Sequence, residues 1–413
     1  MKRLNTARIL MYSHDTFGLG HLRRCRTIAH ALVERFGELE VLIISGSSVA
    51  DAYEAKERVD YVKIPGVKKL PSGDYASIDE NTDIRQTLIE RETIIQETAA
   101  QFSPDIFIVD KEPMGLHSEV EATLKDLRAK GCLTVLGLRD VMDSPRLLNP
   151  EWEKKDTIKK ISKLYDEIWI YGPADFWNPL KGLNIPLSLT EKVRYVGFLP
   201  RENPSPGSPS EIELPDDFIL VTTGGGGDGA DLMSWVLAAI EHDSSLTVPL
   251  VLITGPLMEG DDHKAISRRA ATLENVTVIE FASELESILE KARVVIGMCG
   301  YNTFCEAISF DKRSLFIPRT TPREEQLVRA SRAAELGIAQ VLEPQDAAEP
   351  AQMAAAMHQL LEFDRPSEAG WDIDMKGLIK VGERVGVLLG QPGSSLAVPV
   401  PAHQPDAIKT DLL

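Results

Sequence analysis

Cysteine is scarce in this sequence, and the few cysteines lie far apart. Four cysteines occur among 413 residues, and none of them forms a CxxC pair or a cluster with histidine. The eight histidines fall in no HExxH or similar spacing. The sequence therefore predicts no disulfide framework and no metal site.

Long apolar runs are also missing. No segment approaches the roughly 18 uncharged apolar residues that a membrane-spanning helix requires, and the N-terminal segment has only a short apolar run at residues 9–12. That run is typical of a first strand and not of a signal peptide. We therefore expect a cytoplasmic protein, for which a local basic patch would still allow peripheral contact with the inner face of the membrane.

Basic residues are in the minority. The chain has 45 lysines and arginines against 63 aspartates and glutamates, which gives a net charge of −18. Such a field repels nucleic acid, which we exclude as a partner. Apolar residues at 43% and charged residues at 26% are ordinary for a globular protein, so disordered and fibrous classes are excluded as well. The length of 413 residues exceeds one ordinary core and predicts two or three domains.

What the sequence does contain is a regular alternation of strand-like apolar runs and helical periodicity. In the first half the predicted strands are Ala7–Ser13, Glu40–Ser45, Asp60–Ile64, Asp105–Asp110, Leu133–Leu138, Glu167–Gly172 and Arg194–Leu199. In the second half they are Phe218–Thr223, Val248–Thr254, Asn275–Phe281, Ala292–Gly297, Arg313–Pro318 and Ile338–Glu343. Strands that alternate with helices indicate an α/β protein with parallel, doubly wound sheets.

A proline-rich segment separates the two halves. Residues 200–210 contain four prolines, three serines and one glycine, which is typical of a linker. We therefore predict an N-terminal Rossmann-like domain at residues 1–200 and a C-terminal one at residues 211–370, facing each other across a cleft. A helix at residues 375–389 should pack back on the first domain, and the tail at residues 391–413 should be disordered.

A glycine-containing loop follows the first predicted strand, in the run SHDTFGLGHLRRCR at residues 13–26. Gly18 and Gly20 let backbone amides approach a ligand, and a helix starts at about His21. His21 thus lies where a general base would face the cleft, and the helix start should keep its imidazole neutral. The alternative is that His21 only caps the helix. The GxGxxG fingerprint is incomplete, and no acidic residue ends the second strand, so NAD is not predicted.

Four consecutive glycines follow the first predicted strand of the second half, in the run VTTGGGGDGADL at residues 221–232. Glycine weakens regular structure, so Gly224, Gly225 and Gly226 predict unusual backbone angles or a close approach to a ligand. A helix follows, which favours a phosphate or sugar site over a merely tight turn. The lysine of a Walker loop is missing, and we predict no resident cofactor.

A third strand, loop and helix form the run VVIGMCGYNTFCEAISF at residues 294–310. Gly300 opens the turn. The amides of the first helical residues, Tyr301, Asn302 and Thr303, would point at a diphosphate. Glu306 lies one turn into the helix, where its carboxylate could accept both hydroxyls of a ribose. The alternative, a solvated surface glutamate, fits its apolar neighbours less well.

A fourth run, FIPRTTPREEQLVRASRAAELG at residues 316–337, leads from a strand through a loop into a helix. Glu325 and Gln326 at the helix start can bond sugar hydroxyls, although glutamates in a first turn are also ordinary partners of the helix dipole. Arg319 and Arg323 flank the loop and could balance phosphate charge.

Two acidic residues follow strands of the first half. Asp110 and Asp140 lie at or just after the ends of the fourth and fifth predicted strands. Because ligands bind at the carboxyl ends of parallel strands, we expect both to line the acceptor side of the cleft.

With these four runs in this order, the chain resembles glycosyltransferases of the GT-B fold. Its second half, residues 218–361, is similar to the family 28 C-terminal domain, whose group includes the N-acetylglucosaminyltransferase that forms lipid II. The resemblance implies one site residue or segment for each part of the donor. These are Phe281 for a uracil-type base, residues 297–303 for the diphosphate, Glu306 for the ribose, and Glu325 with Gln326 for the transferred sugar.

The first half adds a second resemblance. Gly18, Gly20, His21, Arg24 and Cys25 match the GxGHxxRC start of the UDP-sugar hydrolase of pseudaminic acid synthesis, whose histidine is catalytic. The chain as a whole is similar to predicted bacterial glycosyltransferases.

These resemblances imply transfer of a hexosyl or N-acetylhexosaminyl group from a nucleoside diphosphate, UDP in the first place, without a metal ion. The acceptor would be a small molecule, a glycan or a lipid-linked sugar in cell-envelope or polysaccharide synthesis. Two alternatives stay open at this point. One is a hydrolase or epimerase of the nucleotide sugar, and the other is a scaffold that binds a nucleotide sugar without turnover.

Overall fold

The computed structural model describes residues 7–14, 20–47, 56–70, 74–201, 213–282, 285–343 and 349–390. Three features predicted from the sequence lie outside the described residues. They are Gly18, the proline-rich segment from residue 202 onward, and the tail at residues 391–413.

The first half of the chain builds a seven-stranded parallel sheet. The nine strands described in this half, seven of which form that sheet, are β1 (Arg8–Ser13), β2 (Glu40–Ser45), β3 (Val59–Lys63), β4 (Val67–Lys69), β5 (Tyr75–Ser77), β6 (Ile106–Asp110), β7 (Leu133–Arg139), β8 (Glu167–Tyr171) and β9 (Val193–Tyr195). The order in the sheet is β3-β2-β1-β6-β7-β8-β9, and β4 and β5 form a separate antiparallel pair. β6 is buried along its whole length, as expected of a parallel strand with helices on both faces.

The second half repeats the plan with six parallel strands. They are β10 (Ile219–Thr222), β11 (Leu250–Ile253), β12 (Val276–Ile279), β13 (Val294–Gly297), β14 (Arg313–Phe316) and β15 (Gln340–Val341). Their order is β12-β11-β10-β13-β14-β15. In each sheet the order reverses beside the first strand, between β1 and β6 and between β10 and β13. Ligands bind at the carboxyl ends of strands at such reversal points.

Helices cover both sheets. They are α1 (Gly20–Arg35), α2 (Ile84–Phe102), α3 (Glu121–Ala129), α4 (Pro145–Lys154), α5 (Thr157–Leu164), α6 (Leu187–Thr190), α7 (Ala230–His242), α8 (Gly260–Ala270), α9 (Leu285–Lys291), α10 (Tyr301–Ser309), α11 (Glu325–Glu335), α12 (Pro350–Glu362) and α13 (Gly377–Leu388). Within the described residues, none of these helices is long and apolar enough to cross a membrane.

Apolar contacts join the two halves behind the cleft. Phe176 and Phe198 of the first half pack on Phe304 of α10, with ring centroids 5.1–5.5 Å apart. The last helix, α13, also packs against the first half, where Val381 is buried in the same cluster and Arg384 pairs with Glu167. This shared core fixes α1 beside α10 and so places two helix starts at one cleft.

The predicted class, two parallel-sheet α/β units, is confirmed. The short pair β4 and β5 has no counterpart in the sequence-based prediction, because three-residue strands carry too little periodicity to be recognised. The predicted strand Arg194–Leu199 is shorter in the structure and ends at Tyr195.

Candidate active site

The cleft between the two sheets collects most of the residues singled out in the sequence. Those that line it are Gly20, His21, Gly224, Gly225, Gly226, Phe281, Gly300, Tyr301, Asn302, Thr303 and Gln326. Four others, Asp110, Asp140, Glu306 and Glu325, are buried beside the cleft without lining it. The structure therefore brings the predicted residues together, but it gives these four carboxylates protein partners.

His21 stands in the first turn of α1, opposite the end of β6. Its Nδ1 lies 2.5 Å from Oδ2 of Asp110, the last residue of β6. Arg24, one turn further along α1, donates from Nε to the other carboxylate oxygen of Asp110 over 2.8 Å. The reversal point of the first sheet thus carries a histidine, a carboxylate and an arginine in contact, and Arg24 and Asp110 are almost fully buried.

The charge states of this group follow from burial and from Arg24. Burial lowers the pKa of His21 to about 3, an effect that Asp110 opposes and Arg24 reinforces. Burial alone would raise the pKa of the Asp110 carboxyl, but Arg24 and His21 hold it well below its ordinary value. A lowered pKa favours the neutral imidazole at cell pH, and burial is its largest cause.

A second buried histidine lies behind His21. The rings of His14 and His21 meet edge to face with centroids 5.6 Å apart, and Nδ1 of His14 lies 3.3 Å from the hydroxyl of Tyr12. Burial lowers the pKa of His14 to about 4. His14 has side-chain partners inside the domain and does not line the cleft, which agrees with a structural role.

The opposite wall is made largely of backbone. Gly224 and Gly226 have φ values of 67° and 90°, and Gly255 after β11 has φ 86°. A Cβ added at Gly226 would lie 2.1 Å from the carbonyl oxygen of Thr254. The predicted need for glycine is thereby explained at this position, because the loop after β10 lies directly against the loop after β11.

The helix α10 begins at the same edge, after β13. Gly300 precedes it, Cys299 takes a φ of 61°, and the amides of the first turn are the unpaired donors of any helix start. The ring of Tyr301 is buried under the Arg24 guanidinium, with 5.4 Å from Cζ to the ring centroid. The start of α10 therefore packs against the histidine group of the other domain.

Two polar side chains of α10, those of Asn302 and Glu306, contact the first domain. The predicted diphosphate contact involves the backbone amide of Asn302, and the predicted ribose contact involves the carboxylate of Glu306; both stay predictions. Nδ2 of Asn302 donates to the carbonyl oxygen of Gly20 over 3.0 Å, and its Oδ1 accepts from Arg201 over 2.9 Å. Glu306 lies with Oε1 2.7 Å from Nη2 of Arg23. These contacts tie α10 to the start of α1.

Asp140 and Glu325 are joined by buried ion pairs that cross between the domains. Arg329 of α11 donates to both carboxylate oxygens of Asp140, over 2.8 and 2.7 Å, and to Glu325 over 3.0 Å. Arg139 lies 2.6 Å from Glu325. The charges of Arg139 and Arg329 overcome burial and lower the pKa of Glu325 to about 2. Gln326 remains at the cleft and accepts from the backbone amide of Arg319.

Arginines are frequent along the cleft although the chain is strongly acidic, and each of them is paired with a carboxylate. Among the described residues that line it, Asp228 is the only acid, whereas four are arginines, namely Arg23, Arg24, Arg139 and Arg319. Sequence reasoning named Arg319 and missed Arg23. Arg24 had a signal in the GxGHxxRC run, and Arg139 had one in its position beside Asp140, after the fifth predicted strand. Within the described part of the chain, no three His, Cys, Asp or Glu side chains are grouped so as to hold a metal ion.

Comparison with known proteins identifies the fold of the chain and a family match in its second half. Residues 218–369 match the family model described as the glycosyltransferase family 28 C-terminal domain, which confirms the resemblance in the second half. The chain has the GT-B fold.

The relatives are distant. An uncharacterized glycosyltransferase of Methanosarcina mazei is 23% identical over 321 residues, which cover 75% of this chain and 79% of the relative. MurG of Acinetobacter baumannii superposes with a TM-score of 0.57 at 15% identity, covering 92% of this chain and 99% of MurG. UGT71G1 of Medicago truncatula, solved with UDP-glucose, gives a TM-score of 0.61 at 13% identity, covering 94% and 99%. At such identities the structural likeness shows the fold.

Proposed function

We propose that this chain is a glycosyltransferase that moves a sugar from a nucleoside diphosphate to an acceptor hydroxyl bound on the N-terminal domain. One observation carries the proposal. The neutral His21, hydrogen-bonded to Asp110, shares one cleft with the glycine loop at residues 224–226 and the start of α10. A base and an anion-binding helix start face each other there, as transfer between two bound substrates requires.

The donor is proposed to lie against the C-terminal domain. The start of α10 and the arginines of the cleft suit a diphosphate, and their charge does the work for which other enzymes use a metal ion. Phe281 would contact the base, and Gln326 the transferred sugar. UDP is the favoured nucleotide, since the similar UGT71G1 was solved with UDP-glucose.

The chemistry follows from the tautomer of His21. Asp110 is ionised and can only accept, so we assign the Nδ1 proton to His21, which leaves the lone pair of Nε2 available. His21 Nε2 takes the proton of the acceptor hydroxyl as its oxygen bonds to the anomeric carbon. The bond from that carbon to the diphosphate oxygen breaks at the same time, and the diphosphate leaves with the electron pair.

The acceptor is proposed to be a glycan or a lipid-linked sugar of the cell envelope, met at the inner face of the membrane. The similarity to MurG in fold and to family 28 in the second half supports this assignment. The transferred group, hexosyl or N-acetylhexosaminyl, would be chosen by contacts near Gln326.

One observation favours a second candidate, a nucleotide-sugar hydrolase. His21 and Asp110 would activate a water molecule as well as a hydroxyl, and the start of α1 carries the GxGHxxRC run. In that case UDP would be released without any acceptor.

The test is a mass-spectrometric screen of UDP- and dTDP-sugars with and without cell-envelope lipid extract, with His21→Ala as the inactive control. Release of UDP that requires the extract supports the transferase, and release without it supports the hydrolase. Binding of UDP without turnover in either condition would contradict both and indicate a scaffold.

A further inference from the structure

One buried carboxylate of the first domain lies at the starts of two helices, one from each domain. Asp143 stands in the loop between β7 and α4 and is 2% exposed. Its Oδ1 accepts from the backbone amide of Ser144, just before α4, and from that of Glu324, just before α11, each over 2.8 Å. Its Oδ2 accepts from Nη1 of Arg323 over 3.0 Å. Asp143 thus joins the start of α11 to the other domain.

This contact stabilises the start of α11 from outside its own domain. The first amides of a helix have no partner within the helix, and a negative charge beside them is favourable. Glu324 precedes α11, but its own side chain makes no cap bond. Two neighbours of Asp143 in the sequence hold α11 as well, since Arg139 pairs with Glu325 and Asp140 with Arg329. The segment that ends β7 and follows it therefore fixes where α11 begins.

What α11 contributes to the cleft connects this contact to ligand binding. Gln326, the second residue of α11, lines the cleft, and its Oε1 accepts from the backbone amide of Arg319 over 2.9 Å. Under the proposed function Gln326 contacts the transferred sugar. Asp143 is buried and does not line the cleft, so its effect on a ligand has to pass through α11.

We propose that Asp143 is a positioning residue for the donor sugar, because it caps α11 across the domain boundary and so sets the place of Gln326. This proposal rests on the proposed function. It adds that the sugar part of the donor site is complete only when the loop after β7 is docked on α11. The start of α10 and Phe281, which are proposed to hold the nucleotide, do not need that contact.

The test compares a nucleotide with nucleotide sugars. Calorimetric binding of UDP, UDP-glucose and UDP-N-acetylglucosamine is measured for wild type, Asp143→Ala and Asp143→Asn. Without its cap the helix start shifts, so Asp143→Ala should bind the UDP-sugars roughly 10-fold more weakly, with its affinity for UDP within about twofold of wild type. Asp143→Asn keeps a side-chain oxygen for the amide of Glu324 and should retain most of the affinity for the UDP-sugars.

Amide hydrogen exchange of the unliganded chain gives a second readout that needs no ligand. In Asp143→Ala the amides of residues 323–328 should exchange faster than in wild type, because a bond that protects the helix start is lost. In Asp143→Asn they should exchange as in wild type. Asp143→Ser, whose side chain is shorter than that of aspartate, replaces the alanine variant if the latter does not fold.

Asp83 offers a matched control. It caps α2 of the same domain by accepting from the backbone amide of Arg85 over 2.8 Å, and it is exposed and does not line the cleft. Asp83→Ala should bind all three ligands as wild type does and should leave exchange at residues 323–328 unchanged.

Several results would overturn the proposal. Wild-type binding of both UDP-sugars by Asp143→Ala separates the cap from the sugar site, and an equal loss for UDP and the UDP-sugars means that the whole cleft is disturbed. Equal behaviour of Asp143→Asn and Asp143→Ala assigns the effect to the charge that faces Arg323. Binding of UDP but of neither sugar by wild type means that α11 holds no hexose.

Failure of the proposed function has a different signature. Wild type that binds none of the three ligands would contradict a nucleotide-sugar site altogether. Exchange at residues 323–328 would still decide whether Asp143 caps α11, since that measurement uses the chain alone.

Discussion

The two walls of the cleft are built by different means. The N-terminal wall is built on polar side chains held by one another, since His21 and Arg24 line the cleft and both contact Asp110 behind them. The C-terminal wall is largely backbone, with positive φ values at Gly224 and Gly226 and the open start of α10. The first wall can exchange a proton, whereas the second presents amides that need no ionisation. Under the proposed function, the acid-base step belongs to the first domain and anion binding to the second.

The comparison also teaches where each wall is vulnerable. The N-terminal wall should lose stability when one partner of a charge pair is removed, because the other partner is left buried without its counterion. The C-terminal wall should change its backbone conformation when a Cβ is added where two of its loops are in contact. Substitutions of the two kinds should therefore have separable effects on turnover, stability and nucleotide affinity.

The largest expected effect is on turnover in His21→Ala. Removal of a general base lowers turnover by roughly 10²–10⁴-fold, and UDP affinity should stay near that of wild type because the proposed donor site is on the other wall. Turnover and UDP binding are measured on the same preparation. His30→Ala, further along α1 and away from the cleft, is the matched control.

Near-normal turnover of His21→Ala would contradict the proposal that the N-terminal wall supplies the general base. Parallel losses of turnover and UDP affinity would mean that the start of α1 belongs to the donor site.

The next effect is on stability in Asp140→Ala. The variant leaves Arg329 with one of two buried carboxylate partners, so we expect the free energy of unfolding to fall by about 3–5 kcal/mol. Guanidinium chloride unfolding measures it. Asp261→Ala is the control, because its pair with Lys264 is exposed and such pairs contribute at most about 1 kcal/mol. Equal stability of the two variants would show that the pairs crossing between the domains are not structural.

The sequence predicted the backbone wall better than the charged one, for a physical reason. Four glycines after an apolar strand are a local signal, so residues 224–226 could be recognised without any partner. The partners of a buried charge are not local. Arg329 lies 189 positions from Asp140 in the sequence. Likewise, no residue near Glu306 in the sequence indicates that Arg23 lies beside it in the structure. The sequence thus identified these carboxylates as unusual and assigned them to the ligand, because the arginines that engage them come from other elements.

A third effect should appear on the backbone wall in Gly226→Ala. A residue other than glycine at a φ of 90° costs roughly 1–3 kcal/mol, and the added Cβ meets the carbonyl oxygen of Thr254. We expect UDP affinity to fall as the loop shifts. Gly260→Ala is the matched control, because a Cβ there meets nothing within 4 Å. Wild-type UDP affinity in Gly226→Ala would remove this loop from the donor site.

The smallest effect is a pH dependence that belongs to the N-terminal wall. Burial lowers the pKa of His21 to about 3 and that of His14 to about 4, whereas both titrate near 6.5 when unfolded. Between these values the unfolded chain binds more protons than the folded one, so stability present at pH 7 is lost as the pH falls. Each histidine should contribute about 1 kcal/mol per pH unit below pH 6.

Urea unfolding of wild type and His21→Gln at pH 7.0, 6.0 and 5.0 measures the slope, which should be smaller in the variant because one of the titrating groups is gone. The acidic residues with lowered pKa values, Asp110 and Glu325 among them, lose their contribution mainly below about pH 5, at the lower end of this range. An identical slope in His21→Gln would mean that folding does not lower the pKa of His21, and the proposed base would then carry a proton at weakly acidic pH.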